Sequence, residues 1–271
     1  RGTAMTGLSS RLYARVEGAG FRALYRLADL TYALGVATPK RTVAGTYWSY
    51  EPTNPHGDDA GLAVLDRLPD DAVILDIGAH VGEHAIPLTR GTDRRVVAFE
   101  PNGESADRLA RNAERNGLGD RIELRRAGLG DANATLTFYR STFSKCSAFD
   151  RESATRWGAS VAGTESVPIR RLDDLVEGVD NTGPTEGVTV SPPDAVKVDV
   201  EGHEAAVLRG ATATIEAFRP LLVVEVPDAA AAPDDPETDD AGTDDPRAAD
   251  PTPDDAAGLR DAVEDARGAF Q

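Results

Sequence analysis

Apolar strands that end in charge and lead directly into a helix recur through the middle of the chain, and this pattern narrows the possible folds most. In "DAVKVDVEGHEAAVLRG", residues 194–210, valines alternate with Lys197, Asp199 and Glu201, because strand side chains point to opposite faces in turn. The residues that follow repeat at helical spacing. A strand that feeds a helix is typical of a parallel sheet, whose strands are usually apolar on both faces. Charge at the end of such a strand therefore indicates a site.

The whole central region follows the same alternation. Strands are also predicted at "AVILDIG", "RVVAFE", "RIELRRAG", "ATLTFYR", "ESVPIRR" and "RPLLVVEV". Helices are predicted over residues 59–68, from about residue 82, over 103–116 and over 172–177. Strands that alternate with helices predict an α/β fold with a doubly wound, mostly parallel sheet.

The composition divides the chain into four regions. Residues 1–58 are predicted to form an N-terminal helical extension, with two short helices between residues 10 and 34 and a loop over 46–59 that borders a cleft. Residues 59–227 form the predicted α/β domain. Residues 228–255 are so acidic and rich in proline that we expect an insert without fixed structure, followed by a last helix over 256–271.

Acidic residues dominate the charge balance. The chain has 29 Lys and Arg against 46 Asp and Glu, which gives a net charge of -17. This charge argues against a nucleic acid or an anionic membrane surface as the partner. The only lysines are Lys40, Lys145 and Lys197. Strong self-repulsion is tolerated where salt screens it, so the composition predicts a halophilic source.

The sequence predicts a cytoplasmic protein. Cys146 is the single cysteine, so no intrachain disulfide can form. No apolar run approaches the roughly 20 residues that cross a bilayer, and no signal-peptide core is visible, so we expect no stable membrane insertion. The arginine-bearing stretch over residues 10–34 fits either packing onto the domain or lying on a membrane surface.

The loop "LDIGAHVGEH", residues 75–84, joins a strand to a helix, which is where α/β sheets bind ligands. Three hypotheses fit it. A dinucleotide-binding loop would have the pattern G-x-G-x-x-G, whereas Gly78 and Gly82 are four positions apart without a third glycine. Asp76 is poorly suited to lie beside a diphosphate, but it suits the positively charged ammonium and sulfonium groups of S-adenosylmethionine.

A zinc peptidase is the second hypothesis. "HVGEH" contains the pattern H-x-x-E-H, with His80 and His84 as ligands and Glu83 as the general base. That motif needs a continuous helix that places both imidazoles on one face. Gly82 in its middle argues against such a helix, so we predict no metal ligands.

The next strand favours the third hypothesis, a site for S-adenosylmethionine. Glu100 ends "VVAFE", where a carboxylate can accept hydrogen bonds from both ribose hydroxyls of a nucleoside cofactor. NAD uses an acid at the same place, so Glu100 alone does not distinguish the two cofactors. The predicted cofactor-binding residues are Asp76, Gly78, Ala79, His80, Gly82 and Glu100.

Four stretches together closely resemble the FkbM-type methyltransferases, a branch of the class I S-adenosylmethionine-dependent enzymes. They are "LDIGAHVGEHAIPL", "VVAFEPNGESADRLARNAERNG", "VPIRRLDDLV" and "DAVKVDVEGHEAAVLRGATATIEAFRPLLVVEV", which cover about residues 60–226 in the family's order. The resemblance implies a Rossmann-like fold in which residues 76–82 lie beside residues 199–203. It also implies S-adenosylmethionine as cofactor and a hydroxyl oxygen on a sugar, lipid or secondary metabolite as methyl acceptor. The family usually has Asn where His80 stands.

Methyl transfer to a hydroxyl needs a base that removes its proton, and three residues of "DVEGH" are candidates. His203 is the first choice, because the pKa of histidine already lies near neutrality. Asp199 would position the reacting groups, bind a divalent metal ion or pair with Lys197. Glu201 is the third candidate. The family usually continues after "VVEV" with further strands, where this chain has its acidic segment. A scaffold that binds the cofactor without transferring a methyl group is therefore the alternative function.

Overall fold

The structure is a computed structural model that describes residue 20, residues 22–179 and residues 189–225. The predicted acidic insert, the predicted last helix and the first part of the predicted helical extension lie outside these residues. The strands are β1 (Thr38–Thr42), β2 (Gly45–Ser49), β3 (Val73–Ile77), β4 (Arg95–Phe99), β5 (Ile122–Arg125), β6 (Gly128–Leu129), β7 (Ala134–Ser141), β8 (Val161–Arg170), β9 (Ala195–Val198) and β10 (Leu221–Val224). The helices are α1 (residues 22–34), α2 (Ala60–Leu65), α3 (Ala85–Thr89), α4 (Gly103–Arg115), α5 (Glu204–Arg209) and α6 (Thr212–Phe218).

Five parallel strands form the central sheet in the order β10-β9-β3-β4-β5. The chain runs from β3 outward through β4 to β5, and later returns to the other side of β3 with β9 and β10. The direction of winding therefore reverses between β3 and β9, which makes the gap between these two strands the topological switch point. This order confirms the predicted doubly wound, Rossmann-like α/β fold.

Apolar side chains cover both faces of this sheet. Ile74 belongs to a core cluster that includes residues of α2, α3 and α4, whereas its neighbour Leu75 belongs to a second cluster that includes residues of α5 and α6. Successive strand residues point to opposite faces, so two neighbouring apolar residues serve two separate cores. All four residues of β9 are buried, including Lys197. Burial on both faces explains why these strands are short and rich in valine.

Two smaller sheets flank the central one. β6, β8 and β7 form a three-stranded mixed sheet in the order β6-β8-β7, and β1 and β2 form an antiparallel hairpin. The predicted strand "RIELRRAG" is therefore two strands, because β5 pairs in the central sheet and β6 pairs with β8. The hairpin means that the N-terminal extension is not helical throughout.

Three sequence-based boundaries were wrong. The helix predicted over residues 172–177 is a 3₁₀ helix over Leu172–Asp174. The predicted loop over residues 46–59 begins later, because residues 46–49 belong to β2 and pair with β1. The helix predicted from about residue 82 begins at Ala85, since Gly82 has a left-handed φ of 89° that no helix continues through. Within the described ranges, no helix is both long enough and apolar enough to cross a membrane.

Candidate active site

A cavity lies at the carboxyl ends of β3, β4 and β9. Residues 78–80 after β3, residues 100–101 after β4 and residues 199–201 after β9 line it. Open α/β sheets bind ligands at this edge, beside the switch point. We call the group formed by Asp76, Gly78, Glu100, Lys197 and Asp199 the cavity floor.

Gly78 brings the loop after β3 into direct contact with the end of β9. Its φ is 78°, and a Cβ at this position would lie 1.7 Å from the backbone oxygen of Asp199. The Asp199 N–H in turn donates to the carbonyl oxygen of Ile77 at 3.0 Å. Only glycine fits such a close approach. The predicted neighbourhood of residues 76–82 and 199–203 is therefore present.

Lys197 neutralises charge beneath the cavity. Its Nζ lies 3.1 Å from Asp76 Oδ1 and 3.5 Å from Asp199 Oδ2, and it donates to the Gly78 carbonyl oxygen at 3.1 Å. Burial lowers the pKa of Lys197, but the two aspartates outweigh this effect, so the net shift is upward. Asp76 is 1% exposed and does not line the cavity. The negative charge of Asp76 therefore compensates the positive charge of Lys197. The sequence analysis had paired Lys197 with Asp199 alone.

Glu100 ties together the two loops around it. Its Oε2 accepts from the backbone N–H of His80 and its Oε1 from that of Asn102, both at 2.8 Å. Burial raises the pKa of Glu100. Each carboxylate oxygen can accept more than one hydrogen bond, so both oxygens retain capacity for a ligand. The residue lines the cavity, as expected for a group that binds ribose hydroxyls.

The remaining loop residues divide between lining the cavity and shaping the turn. Ala79 and His80 line the cavity, whereas Gly82 does not, and a Cβ on Gly82 would approach Ile86 Cδ1 to 2.8 Å. His80 has a left-handed φ of 47°. Asn and His are both enriched in that conformation, which explains physically how His80 replaces the more usual Asn. The turn over residues 80–84 lacks the continuous helix that the zinc motif would need.

Carboxylates gather where β9 ends. Asp199, Glu201 and Glu225 all line the cavity. Burial and the nearby charge of Asp199 raise the pKa of Glu201 to about 7, although Arg156 lies 3.2 Å away and acts in the opposite direction. Glu201 also has a left-handed φ of 54°, which costs a non-glycine residue roughly 1–2 kcal/mol. Such strain is concentrated at functional sites.

His203 lines the same cavity at the start of α5. Its side chain makes no capping hydrogen bond to the helix, and its ring lies 5.3 Å from that of Phe149. Glu204 instead holds the turn, because its carboxylate accepts from the N–H groups of Val200 and Gly202. Burial lowers the pKa of His203, so the imidazole is neutral at pH 7. The structure thus brings His203, Asp199 and Glu201 to one cavity.

A second group of titratable side chains lies at the same cavity, which four of its five members line. We call His56, Asp59, Glu83, His84 and Lys145 the histidine cluster. Lys145 Nζ lies 2.9 Å from Glu83 Oε2 and 3.1 Å from His56 Nε2. Burial would raise the pKa of Glu83, but His80 and Lys145 outweigh it and hold the pKa below its ordinary value.

Sequence reasoning found only part of this cluster. It assigned His84 and Glu83 to a zinc motif and placed the cleft loop near His56, but it did not identify Asp59 or Lys145. The one available signal was "HGDD", in which Asp59 follows His56 by three positions before a helical pattern. Lys145 comes from a 3₁₀ helix that follows β7, so no local pattern connects it with the loop.

Aromatic side chains form one part of the cavity lining. Phe138 and Phe149 line it from the side of the small mixed sheet, with their ring centroids 5.0 Å apart. Trp157 lies at the cavity and is 56% exposed, in a kink where its own φ is 56°. Sequence analysis assigned no role to these three residues. They give part of the cavity an apolar lining.

Several known proteins similar to this chain are methyltransferases. The hexuronic acid methyltransferase AglP of Haloferax volcanii is 32% identical over 165 residues, which are 60% of this chain and 59% of that protein. Methyltransferase 1 of Beauveria bassiana is 29% identical over 157 residues, 52% of this chain and 59% of that protein. The chain thus spans about 59% of the length of these relatives. The first relative comes from a halophile, which fits the acidic composition.

A solved structure and a family match complete the comparison. The crystal structure of methyltransferase FkbM from Methylobacillus flagellatus is 21% identical, with a TM-score of 0.39, and the match covers 58% of this chain and 33% of that one. Residues 76–241 match the methyltransferase FkbM domain. This match extends over more than half of the chain and begins at the buried aspartate of the cavity floor, so the protein belongs to the FkbM methyltransferase family.

Proposed function

We propose that this protein transfers a methyl group from S-adenosylmethionine to an oxygen atom of a sugar or related metabolite. The observation that carries the proposal is the contact between the loop after β3 and the end of β9 at Gly78, with Glu100 beside it and carboxylates above. In a member of a methyltransferase family, this edge of the sheet is where the cofactor belongs.

The residues of the cavity suit the chemistry of that cofactor. S-adenosylmethionine, when bound, supplies an electrophilic methyl group on a positively charged sulfur. Glu100 would accept hydrogen bonds from the ribose hydroxyls through the capacity that its oxygens retain. Asp199, Glu201 and Glu225 would provide negative charge for the cationic part of the cofactor. Asp76 is less suited to this role because it is buried and does not line the cavity.

Glu201 is the better placed of two candidate bases for a hydroxyl acceptor. A general base works best when its pKa lies near the operating pH, and the pKa of Glu201 is raised to about 7. His203, the first choice from the sequence, has a pKa lowered by burial and is correspondingly the weaker proton acceptor. We therefore assign proton removal to Glu201 and assign His203 to the packing of the acceptor against Phe149.

The aromatic part of the cavity lining suits a sugar ring. Trp157 presents a largely exposed indole, and an aromatic face stacks on the apolar C–H face of a pyranose. Lys145 at the cavity wall could pair with a carboxylate on the acceptor. AglP of Haloferax volcanii acts, by its name, on a hexuronic acid, and a hexuronic acid offers both hydroxyl and carboxyl oxygens as methyl acceptors.

Labelled cofactor provides the test. Purified protein in molar KCl is incubated with methyl-labelled S-adenosylmethionine and glycan fractions of a halophilic archaeon, and the label is followed into product. We expect label in the glycan fraction, released by mild alkali if a carboxyl oxygen was methylated and stable if a hydroxyl was. A protein that binds the cofactor but transfers no label to glycan, lipid or small-molecule fractions is a scaffold, and the proposal is then wrong.

A further inference from the structure

Three side chains from separate segments converge at the cavity wall. His56 comes from the loop before α2, Asp59 from the N-cap of α2 and His84 from the N-cap of α3. One nitrogen or oxygen of each lies within 4.8 Å of those of the other two. Within residues 22–179 and 189–225, this is the one group of three or more His, Cys, Asp or Glu side chains that converges in this way.

The spacing of these atoms also fits a shared ion. His56 Nδ1 lies 3.4 Å from Asp59 Oδ2, a long hydrogen bond, and His84 Nε2 lies 3.4 Å from Asp59 Oδ1. Two ligands that are each about 2.1 Å from a tetrahedral ion lie about 3.4 Å apart. We propose that His56, Asp59 and His84 bind a divalent transition metal ion, with Zn²⁺ as the ion to test.

The surroundings support a cation at this point. Glu83 Oε2 lies 3.5 Å from His56 Nε2 and adds a second carboxylate beside the three ligands. Asp59 and Glu83 carry two negative charges against the single positive charge of Lys145, which leaves the cluster with a negative balance when its histidines are neutral.

Two of the three ligands stand at fixed places in the fold. Asp59 accepts from the Leu62 N–H at 2.6 Å and thereby caps α2. His84 is 6% exposed, and its side chain makes no capping bond to α3. Its imidazole is therefore oriented by packing rather than used by the helix. This arrangement differs from the H-x-x-E-H pattern, because His80 is not one of the three convergent ligands.

The ion would lie next to the acceptor. His56 and His84 line the cavity, and three protein ligands leave coordination positions for water or an acceptor oxygen. A divalent ion there would orient a hydroxyl or carboxylate and withdraw electron density from it. The metal site itself does not depend on the proposed methyl transfer, because binding can be measured without turnover.

Metal titration tests the proposal. The full chain, made without a polyhistidine tag and stripped with a chelator, is titrated with Zn²⁺ by calorimetry and with Co²⁺ by visible absorption. We expect one ion per chain, cobalt bands typical of a four- or five-coordinate site, and a melting temperature that rises with added Zn²⁺. Asp59→Asn and His84→Gln should each weaken binding about 10²-fold or more. Asn caps a helix as well as Asp does, so α2 stays intact in the first variant.

His80→Asn is the matched control, since it removes a neighbouring histidine without touching the three ligands. It should bind Zn²⁺ with an affinity close to that of the unaltered protein, and all metal-free variants should melt near the metal-free original. Three results would each overturn the proposal: no stoichiometric ion, unchanged binding in both ligand variants, or loss of binding in His80→Asn alone. The last result would instead indicate a site built from His80 and Glu83.

Discussion

The cavity floor and the histidine cluster both contain a lysine between acidic groups, but they differ in their access to solvent. In the floor, the side chains of Lys197 and Asp76 are 6% and 1% exposed. In the cluster, those of Lys145 and Glu83 are 34% and 9% exposed. A buried pair loses heavily when one partner is removed, whereas a half-exposed group can be solvated by water instead. The ion pair of the cavity floor is therefore fixed by burial, whereas Lys145 in the histidine cluster can exchange its ion-pair partner for water.

Replacing each lysine in turn is expected to give the largest effect on stability. Equal losses for the two lysines would contradict the difference between the cavity floor and the histidine cluster. Lys197→Met leaves Asp76 buried without its counter-charge, so the free energy of unfolding should fall by about 3–5 kcal/mol. Lys145→Met should cost less, about 1 kcal/mol, because the Lys145 side chain is 34% exposed and Glu83 keeps His56 and His80 as neighbours. Urea unfolding in molar KCl measures both. Adding Asp76→Leu to Lys197→Met should restore much of the stability, and the absence of any recovery would contradict the account of the floor.

Glu201→Gln removes a carboxylate that lines the cavity next to the cavity floor, while every residue of the floor stays unchanged. With a hydroxyl acceptor, turnover should fall about 10²-fold, the usual contribution of a general base. Cofactor affinity should fall far less, because Asp199 and Glu225 still supply negative charge at the cavity. Single-turnover kinetics and calorimetry separate the two quantities. A carboxyl acceptor has no proton to lose at neutral pH, so unchanged turnover would indicate ester formation on a carboxylate. His203→Asn, made in parallel, should affect acceptor binding more than the rate of the chemical step.

The pH dependence of turnover distinguishes the two candidate bases. A base must be deprotonated to act, so the rate should fall about tenfold per pH unit as the pH drops below the pKa of about 7 at Glu201. This limb should disappear in Glu201→Gln. If His203 were the base, the limb would lie below the usual histidine value, because burial lowers that pKa. A limb that persists in Glu201→Gln and vanishes in His203→Asn would contradict the assignment.

Trp157→Ala is expected to have the smallest effect on activity. Trp157 lines the cavity but belongs neither to the cavity floor nor to the histidine cluster. Loss of stacking should raise the KM for a glycan acceptor about tenfold, with kcat and cofactor affinity little changed. Trp48→Ala is the control, because the other tryptophan lies on β2 under Arg115 and does not line the cavity. Equal effects of the two substitutions on KM would exclude a specific role for Trp157.

Most of the cavity floor could be predicted from the sequence, because its residues lie in or directly after short apolar strands. β3, β4 and β9 are short apolar strands, and the residues after them fall at the carboxyl edge of any parallel sheet. Gly78, Glu100 and Asp199 could therefore be placed without coordinates. The partner of Lys197 was harder to predict, since Asp76 and Asp199 both lie near it and only the strand register, which aligns Asp76 with Lys197, decides between them.

The histidine cluster could not be predicted in the same way. Its members come from loops, from the caps of two helices and from a 3₁₀ helix. Lys145 in this 3₁₀ helix contacts His56, although the two residues are 89 positions apart in the sequence. Such contacts depend on how loops close over the sheet, and loop closure leaves no periodic signal. The raised pKa of Glu201 likewise depends on burial and on a left-handed backbone that a sequence pattern does not reveal.

Calorimetric titration with S-adenosylmethionine tests most directly the central claim that the cavity floor is a cofactor site. In molar KCl, the unaltered protein should bind S-adenosylmethionine and should not bind NAD with comparable affinity. Glu100→Ala should abolish measurable binding, because the ribose loses its acceptor and the loop loses two backbone contacts. Glu123→Ala, an exposed carboxylate on the neighbouring β5, should bind normally. Tight NAD binding without S-adenosylmethionine binding, or normal binding in Glu100→Ala, would contradict the claim.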